Sequence, residues 1–173
     1  MFNVKTIIPF TGMSQYENTI EGRKQGSACG PVTVASIMKF HREKEYAVND
    51  LYASLGTTAI GLFSWRLIRK LRKLTGSRFE IKKIRSIDQV KTELLAGRPV
   101  AMKFDRYFSF RWFSKPMFRY HWVPLIGFEE KQDDVILFFH DNGKRSRPSK
   151  LRTASYRKHQ QVLSFVKIVP VSQ

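Results

Sequence analysis

The chain has a single cysteine, Cys29, in the run QGSACGPVTVASIMKFH. Small residues precede it and an apolar-faced segment follows, which places Cys29 at the start of a predicted helix. Helix N-termini present N–H groups without partners and a partial positive charge, and both favour thiolate over thiol. Cysteines in such a place reach pKa values on the order of 3.5–7.5, against about 8.5 for a free thiol. The chemistry on offer is nucleophilic attack on a carbonyl carbon. Gly26, Ser27, Ala28 and Gly30 leave room for a substrate carbonyl, and the Cys29 backbone N–H would point at its oxyanion. The competing reading is a small, buried, inert hydrophobe, common for free cysteines. A base within reach decides between the two.

Such a base is a histidine, distant in sequence and adjacent in space. The chain has four. His41 shares the predicted helix with Cys29 and lies about three turns away, out of reach. His159 falls in a polar, basic loop, His140 ends a predicted strand and His121 begins one. The histidine in turn needs an acceptor that fixes its tautomer and stabilises its charged form. Asp141 and Asn142 follow the apolar strand at 135–140, and adjacent antiparallel strands can set His121 beside Asp141. Which of Asp141 and Asn142 faces the histidine is left open by the sequence.

The elements that carry these residues are legible from periodicity. Residues 1–27 read as loop with a short apolar patch at Val4, Ile7 and Ile8. The helix of Cys29 runs from about Ala28 to Glu43, with Pro31 in its first turn, where a missing N–H does no harm. Asn49 or Asp50 caps a short helix ending near Leu55. Leu62, Trp65, Ile68 and Leu71 define a helix over 61–74, stopped by Gly76. Phe79–Ile84 alternates like a half-buried strand, and Ser86 opens a helix that Gly97 closes. Strands follow at 98–104, 121–128, 135–140 and 161–169, with a polar loop of some twenty residues between the last two. Pro124 removes a ladder donor, so its strand must have an edge or a bulge there. Helices first and strands afterwards predict an α+β domain on an antiparallel sheet, and 173 residues predict one domain.

Composition narrows the partners. There are 31 Lys and Arg against 14 Asp and Glu, a net charge of +17, which draws polyanions such as nucleic acid or another anionic surface. Arg66, Arg69, Lys70, Arg72, Lys73, Arg78, Lys82, Lys83 and Arg85 face one acid, Glu80, between 66 and 85. A solvated charged face accounts for such a cluster, and docking to an anionic polymer is the functional alternative. Stretch 105–119 interleaves Tyr107, Phe108, Phe110, Trp112, Phe113 and Phe118 with Arg106, Arg111, Lys115 and Arg119, and reads as a flap beside the cleft because it leads into His121. Asp88 and Asp105 are single carboxylates with no evident partner and receive no catalytic role. One cysteine excludes an internal disulfide framework and a multi-cysteine zinc site. No Walker, Rossmann or zinc motif is present, so no cofactor is expected. No run approaches the ~20 apolar residues of a membrane helix, nor does the N-terminus read as a signal sequence; a cytoplasmic location is the expectation, or a secreted one if a leader has been trimmed.

The pattern Q-x(3)-CGP at a helix start, GRPV on a strand, HWV-x-x-IGF on the next and an apolar strand ending in DN resembles the bacteriocin-processing (double-glycine) cysteine peptidases and their stand-alone relatives, of the papain-like superfamily. The resemblance runs from about Gln25 to Gly143. It implies a papain-like α+β fold, hydrolysis of a peptide or other acyl bond, and no metal. It matches Cys29 to the nucleophile, His121 to the general base and acid, Asp141 to the residue that orients the histidine, and Gln25 to the side-chain donor of the oxyanion hole. Two other functions use the same scaffold: a binding module docked on an anionic surface, whose salt-sensitive binding would survive loss of Cys29, and an acyltransferase, which an added amine would reveal.

Overall fold

In the computed structural model, which describes residues 4–43, 45–107 and 115–171, much of the aromatic stretch, with Phe108, Phe110, Arg111, Trp112 and Phe113, lies outside the described residues. In chain order the elements are β1 (Lys5–Ile7), α1 (Gly22–Gln25), α2 (Cys29–Phe40), α3 (Val48–Ser54), α4 (Ser64–Thr75), β2 (Phe79–Ile84), α5 (Ile87–Leu95), β3 (Val100–Asp105), β4 (Tyr120–Lys131), β5 (Asp134–Asp141), β6 (Lys150–Ser155), α6 (Tyr156–His159) and β7 (Leu163–Pro170). The strands form one sheet in the order β2-β7-β3-β4-β5-β6, with β1 added on β4. Every pairing is antiparallel.

Two cores lie on the two faces of this sheet, and the period of two in the strands distributes residues between them. Ala101, Trp122, Val166 and Ile168 face helices α2, α3 and α4, where Val34, Ile37, Met38, Leu51, Leu67 and Leu71 are buried. Their strand neighbours Val100, Met102, Phe104, Val123, Leu125 and Phe165 face the other way, onto α5 and its Val90 and Leu94. β3 is therefore buried at all six positions, which explains why its sequence reads as nearly continuous apolar residues instead of alternating ones.

Local signals account for several boundaries. Ser86 caps α5, accepting the Gln89 N–H at 3.3 Å. Gly76 and Gly97 follow their helices with φ of +61° and +73°, where a side chain would be strained. Three expectations need correction. α3 is capped by Ala47; Asn49 lies inside its first turn, and its amide ties α3 to the preceding loop by donating to Thr19 O (2.9 Å) and accepting from Glu21 N (3.2 Å). The segment before Cys29 contains β1 and α1, and the polar loop between the last two predicted strands contains β6 and α6. Both added strands lie at the rim of the sheet and carry few buried side chains, so no apolar period betrays them. Among the described residues no helix is long and apolar enough to cross a membrane.

Candidate active site

Cys29 is the first residue of α2 and is buried. Its N–H has no acceptor among the described residues, as the geometry of a first helical turn dictates. Gly30 is needed behind it. A Cβ there would lie 2.9 Å from the Leu62 side chain and 3.3 Å from the Trp122 ring, so only glycine lets the turn that carries the cysteine press against β4. The His121 side chain and the backbone amides of Trp122 and Gly30 lie beside the sulfur and favour its charged form. Burial alone would push the thiol up; these neighbours and the histidine's charge outweigh it, and the thiol lies below its ordinary value.

His121 stands at the second position of β4, where the strand has a neighbour on one side only. The β3 ladder runs from Tyr120 to Leu125, whereas the β5 ladder begins at Leu125 and shifts register before Gly127. Pro124 falls just before that ladder and beside the bulge, so its missing N–H leaves no gap in the β4–β5 pairing. The strand's open flank is filled by the end of β5. Asp141 Oδ1 lies 3.3 Å from His121 Nε2, which leaves Nδ1 for the sulfur. Burial favours a neutral ring, but the bonds to Asp141 and Cys29 override it and push the imidazole up to about 9. Asp141 is 2% exposed, and despite burial its carboxyl is held well below the usual range by His121, Arg147 and Arg152.

The alternative that the sequence leaves open is resolved by where Asn142 points. Its Nδ2 donates to Trp122 O (2.8 Å), Thr33 Oγ1 (3.0 Å) and Cys29 O (3.1 Å), not to the histidine. One fully buried amide thus joins the first turn of α2 to β4 and to the end of β5, the three elements that carry Cys29, His121 and Asp141.

Gln25 does not point into this site. Its amide nitrogen donates to the carbonyls of Ile20 (3.2 Å) and Glu17 (3.3 Å), because α1 packs the side chain back onto the loop before it. Gln15, not singled out in the sequence, is tied to the residues on both sides of the site. It is 4% exposed, its N–H donates to Asn142 O (2.8 Å), and its Nε2 donates to Gln25 O (2.8 Å) in the turn that leads into Cys29. The nine residues between Gln15 and Gln25 hide that proximity in the sequence.

The remaining candidates are placed elsewhere. His41 stacks edge-on with Phe40 at the far end of α2, and His140 meets Ser149 Oγ (3.3 Å). His159 is buried in α6, between Ser155 O (2.8 Å) and the Met117 N–H (3.1 Å). The two carboxylates read as lacking partners have them: Asp88 pairs with Lys91 (2.9 Å), and Asp105 with the buried Lys103 (2.6 Å). Lys103 lies 4.6 Å from the centre of the Tyr120 ring, on the Cys29 side of the sheet. Burial lowers its pKa even with Asp105 beside it. Of the basic cluster, Arg69, Lys70 and Lys73 are exposed on α4, and Lys82 and Lys83 on the edge strand β2. No group of three or more His, Cys, Asp or Glu side chains among the described residues is arranged to hold a metal.

Residues 7–170 match the model of the Peptidase_C39 like family. No curated protein matches the sequence. Among solved structures, a protein from Bacillus anthracis described as a C39-like peptidase superimposes with a TM-score of 0.67 at 13% identity, covering 98% of this chain and 100% of its own. UfSP from C. elegans superimposes with a TM-score of 0.56 at 10% identity over 100% of this chain and 35% of its own. At such identities these likenesses speak for the fold, which is papain-like.

Proposed function

The chain belongs to the Peptidase_C39 like family, and from that premise, which gives it a cysteine-peptidase type of function, we propose that it cleaves a peptide or amide bond through a thioester on Cys29. The observation that carries this reading is the juxtaposition of three groups: the His121 side chain beside the Cys29 sulfur, and its Nε2 3.3 Å from Asp141 Oδ1. In the first half-reaction the thiolate forms a bond to the carbonyl carbon, and the carbonyl electrons move onto oxygen. The tetrahedral species collapses, the C–N bond breaks, and the His121 imidazolium gives its proton to the leaving nitrogen. In the second, neutral His121 takes a proton from water as it attacks the thioester, and the sulfur leaves as thiolate. Asp141 holds the ring and stabilises its charged form throughout.

Two donors suit the oxyanion. One is the Cys29 N–H, which has no acceptor among the described residues. The other is the Gln15 amide, which uses one N–H on Gln25 O and has a second to give. Gln15→Ala is therefore expected to lower kcat by about 10²–10³, the usual cost of one oxyanion donor. Gln25→Ala, which removes only contacts to loop carbonyls, should leave kcat within about tenfold. Cleavage of a peptide pool, followed by mass spectrometry and then by kinetics on a cleaved sequence, checks both. The assignment of Gln15 fails if the two variants change places. An added amine in the same assay separates hydrolysis from acyl transfer, since transfer would yield the amide in place of the acid.

A further inference from the structure

Asp141 has a second carboxylate oxygen, and the reaction above gives it no task. Oδ2 accepts Arg147 Nη2 at 2.7 Å and Arg152 Nη1 at 3.1 Å. The carboxylate is almost wholly buried, so these contacts are little screened. Arg147 comes from the loop that turns at Gly143 (φ +81°), and Arg152 from β6. Arg152 does more than meet the carboxylate. Its guanidinium lies 5.2 Å from the centre of the Phe118 ring, and Phe118 packs in turn on His121, tilted by 44°, with centroids 4.6 Å apart. The imidazole thus has Asp141 and Phe118 as neighbours, and Arg152 touches both.

We propose that Arg152 is a positioning residue that packs Phe118 against His121 and opposes the positive charge on the imidazolium, while Arg147 anchors Asp141. This rests on the triad reading only for its consequence in catalysis; the electrostatic claim stands on the cluster itself. A carboxylate shared with two guanidiniums stabilises an imidazolium less than one facing the histidine alone, because the cluster of His121, Asp141, Arg147 and Arg152 carries surplus positive charge once the ring is protonated. Among the described residues, the charged or titratable groups on the other side of the imidazole include Cys29 itself, with Lys103 and Asp105 on β3 and Tyr120 on β4 around it. An imidazolium that held its proton too firmly would be a poor acid for the leaving nitrogen, so the arginine keeps the ring able to give that proton up.

Arg152→Gln removes one positive charge and keeps a donor for Asp141, so the imidazolium gains stability and the His121 titration moves to higher pH, by roughly half a unit or more. Arg152→Lys keeps the charge and should leave the midpoint near wild type. The readout is the His121 ring signal followed by NMR against pH in the full chain, assigned by its absence in His121→Gln. An upward move with glutamine and none with lysine is the expected result. A midpoint that stays put in both variants, or falls with glutamine because Asp141 has come loose, overturns the proposal. Peptide cleavage measured on the same samples reports separately on the triad: a wild-type protein without Cys29-dependent cleavage would count against the enzymatic reading and leave the NMR result standing.

Discussion

With alanine at position 29 the protein is expected to fold as before and to lose turnover, with kcat down by about 10⁶-fold, the scale on which an enzyme loses activity when its nucleophile is removed. The fold should survive because the change deletes one sulfur at the first position of α2, and alanine is the best helix former. The contacts that seat this turn come from elsewhere: Asn142 on the Cys29 carbonyl and Thr33, and Gly30 against Leu62 and Trp122. Circular dichroism and melting would establish the fold, and cleavage of the same peptide would give the rate. A folded variant that kept activity within tenfold of wild type would remove Cys29 from the mechanism.

The second large effect is expected at His121. His121→Gln preserves a polar side chain near Asp141 and removes the group that takes and returns the proton. The nucleophile and its base act as one unit, so the loss should approach that of Cys29→Ala, and the double variant should be no worse than either single one. The thiol should also change. His121 offsets the burial that pushes the Cys29 thiol up, so without it the thiol titrates above its present value, and its alkylation at neutral pH slows. Kinetics on the three variants would test the first claim and labelling of Cys29 the second. Additive losses, with the double variant much slower than either single one, would mean that the two residues act independently.

Much of this site was legible in the sequence because local physics placed it. Small residues and Pro31 mark Cys29 as a helix start, and the order Cys29, His121, Asp141 depends only on two strands lying side by side. What escaped depends on tertiary approach. The loop before α1 folds back onto Asn142 and brings Gln15 with it, whereas the side chain of Gln25, nearer to Cys29 in sequence, turns onto loop carbonyls. The choice between Asp141 and Asn142 turns on strand geometry: successive side chains at the end of β5 point to opposite sides, one to the imidazole and one to the first turn of α2. β6 was missed because its single buried residue, Ala154, gives no period, and with it went Arg152.

The central claim is that Cys29 rests as a thiolate held by His121, and the rate of its alkylation by iodoacetamide as a function of pH tests it most directly. The chain has no other cysteine, so every modification is at this site. A held thiolate predicts a rate already near its plateau at neutral pH, with little change until His121 gives up its proton around a pH of about 9. A rate that climbs tenfold per pH unit through neutrality and levels only above about 8.5, as for a free thiol, would contradict the account.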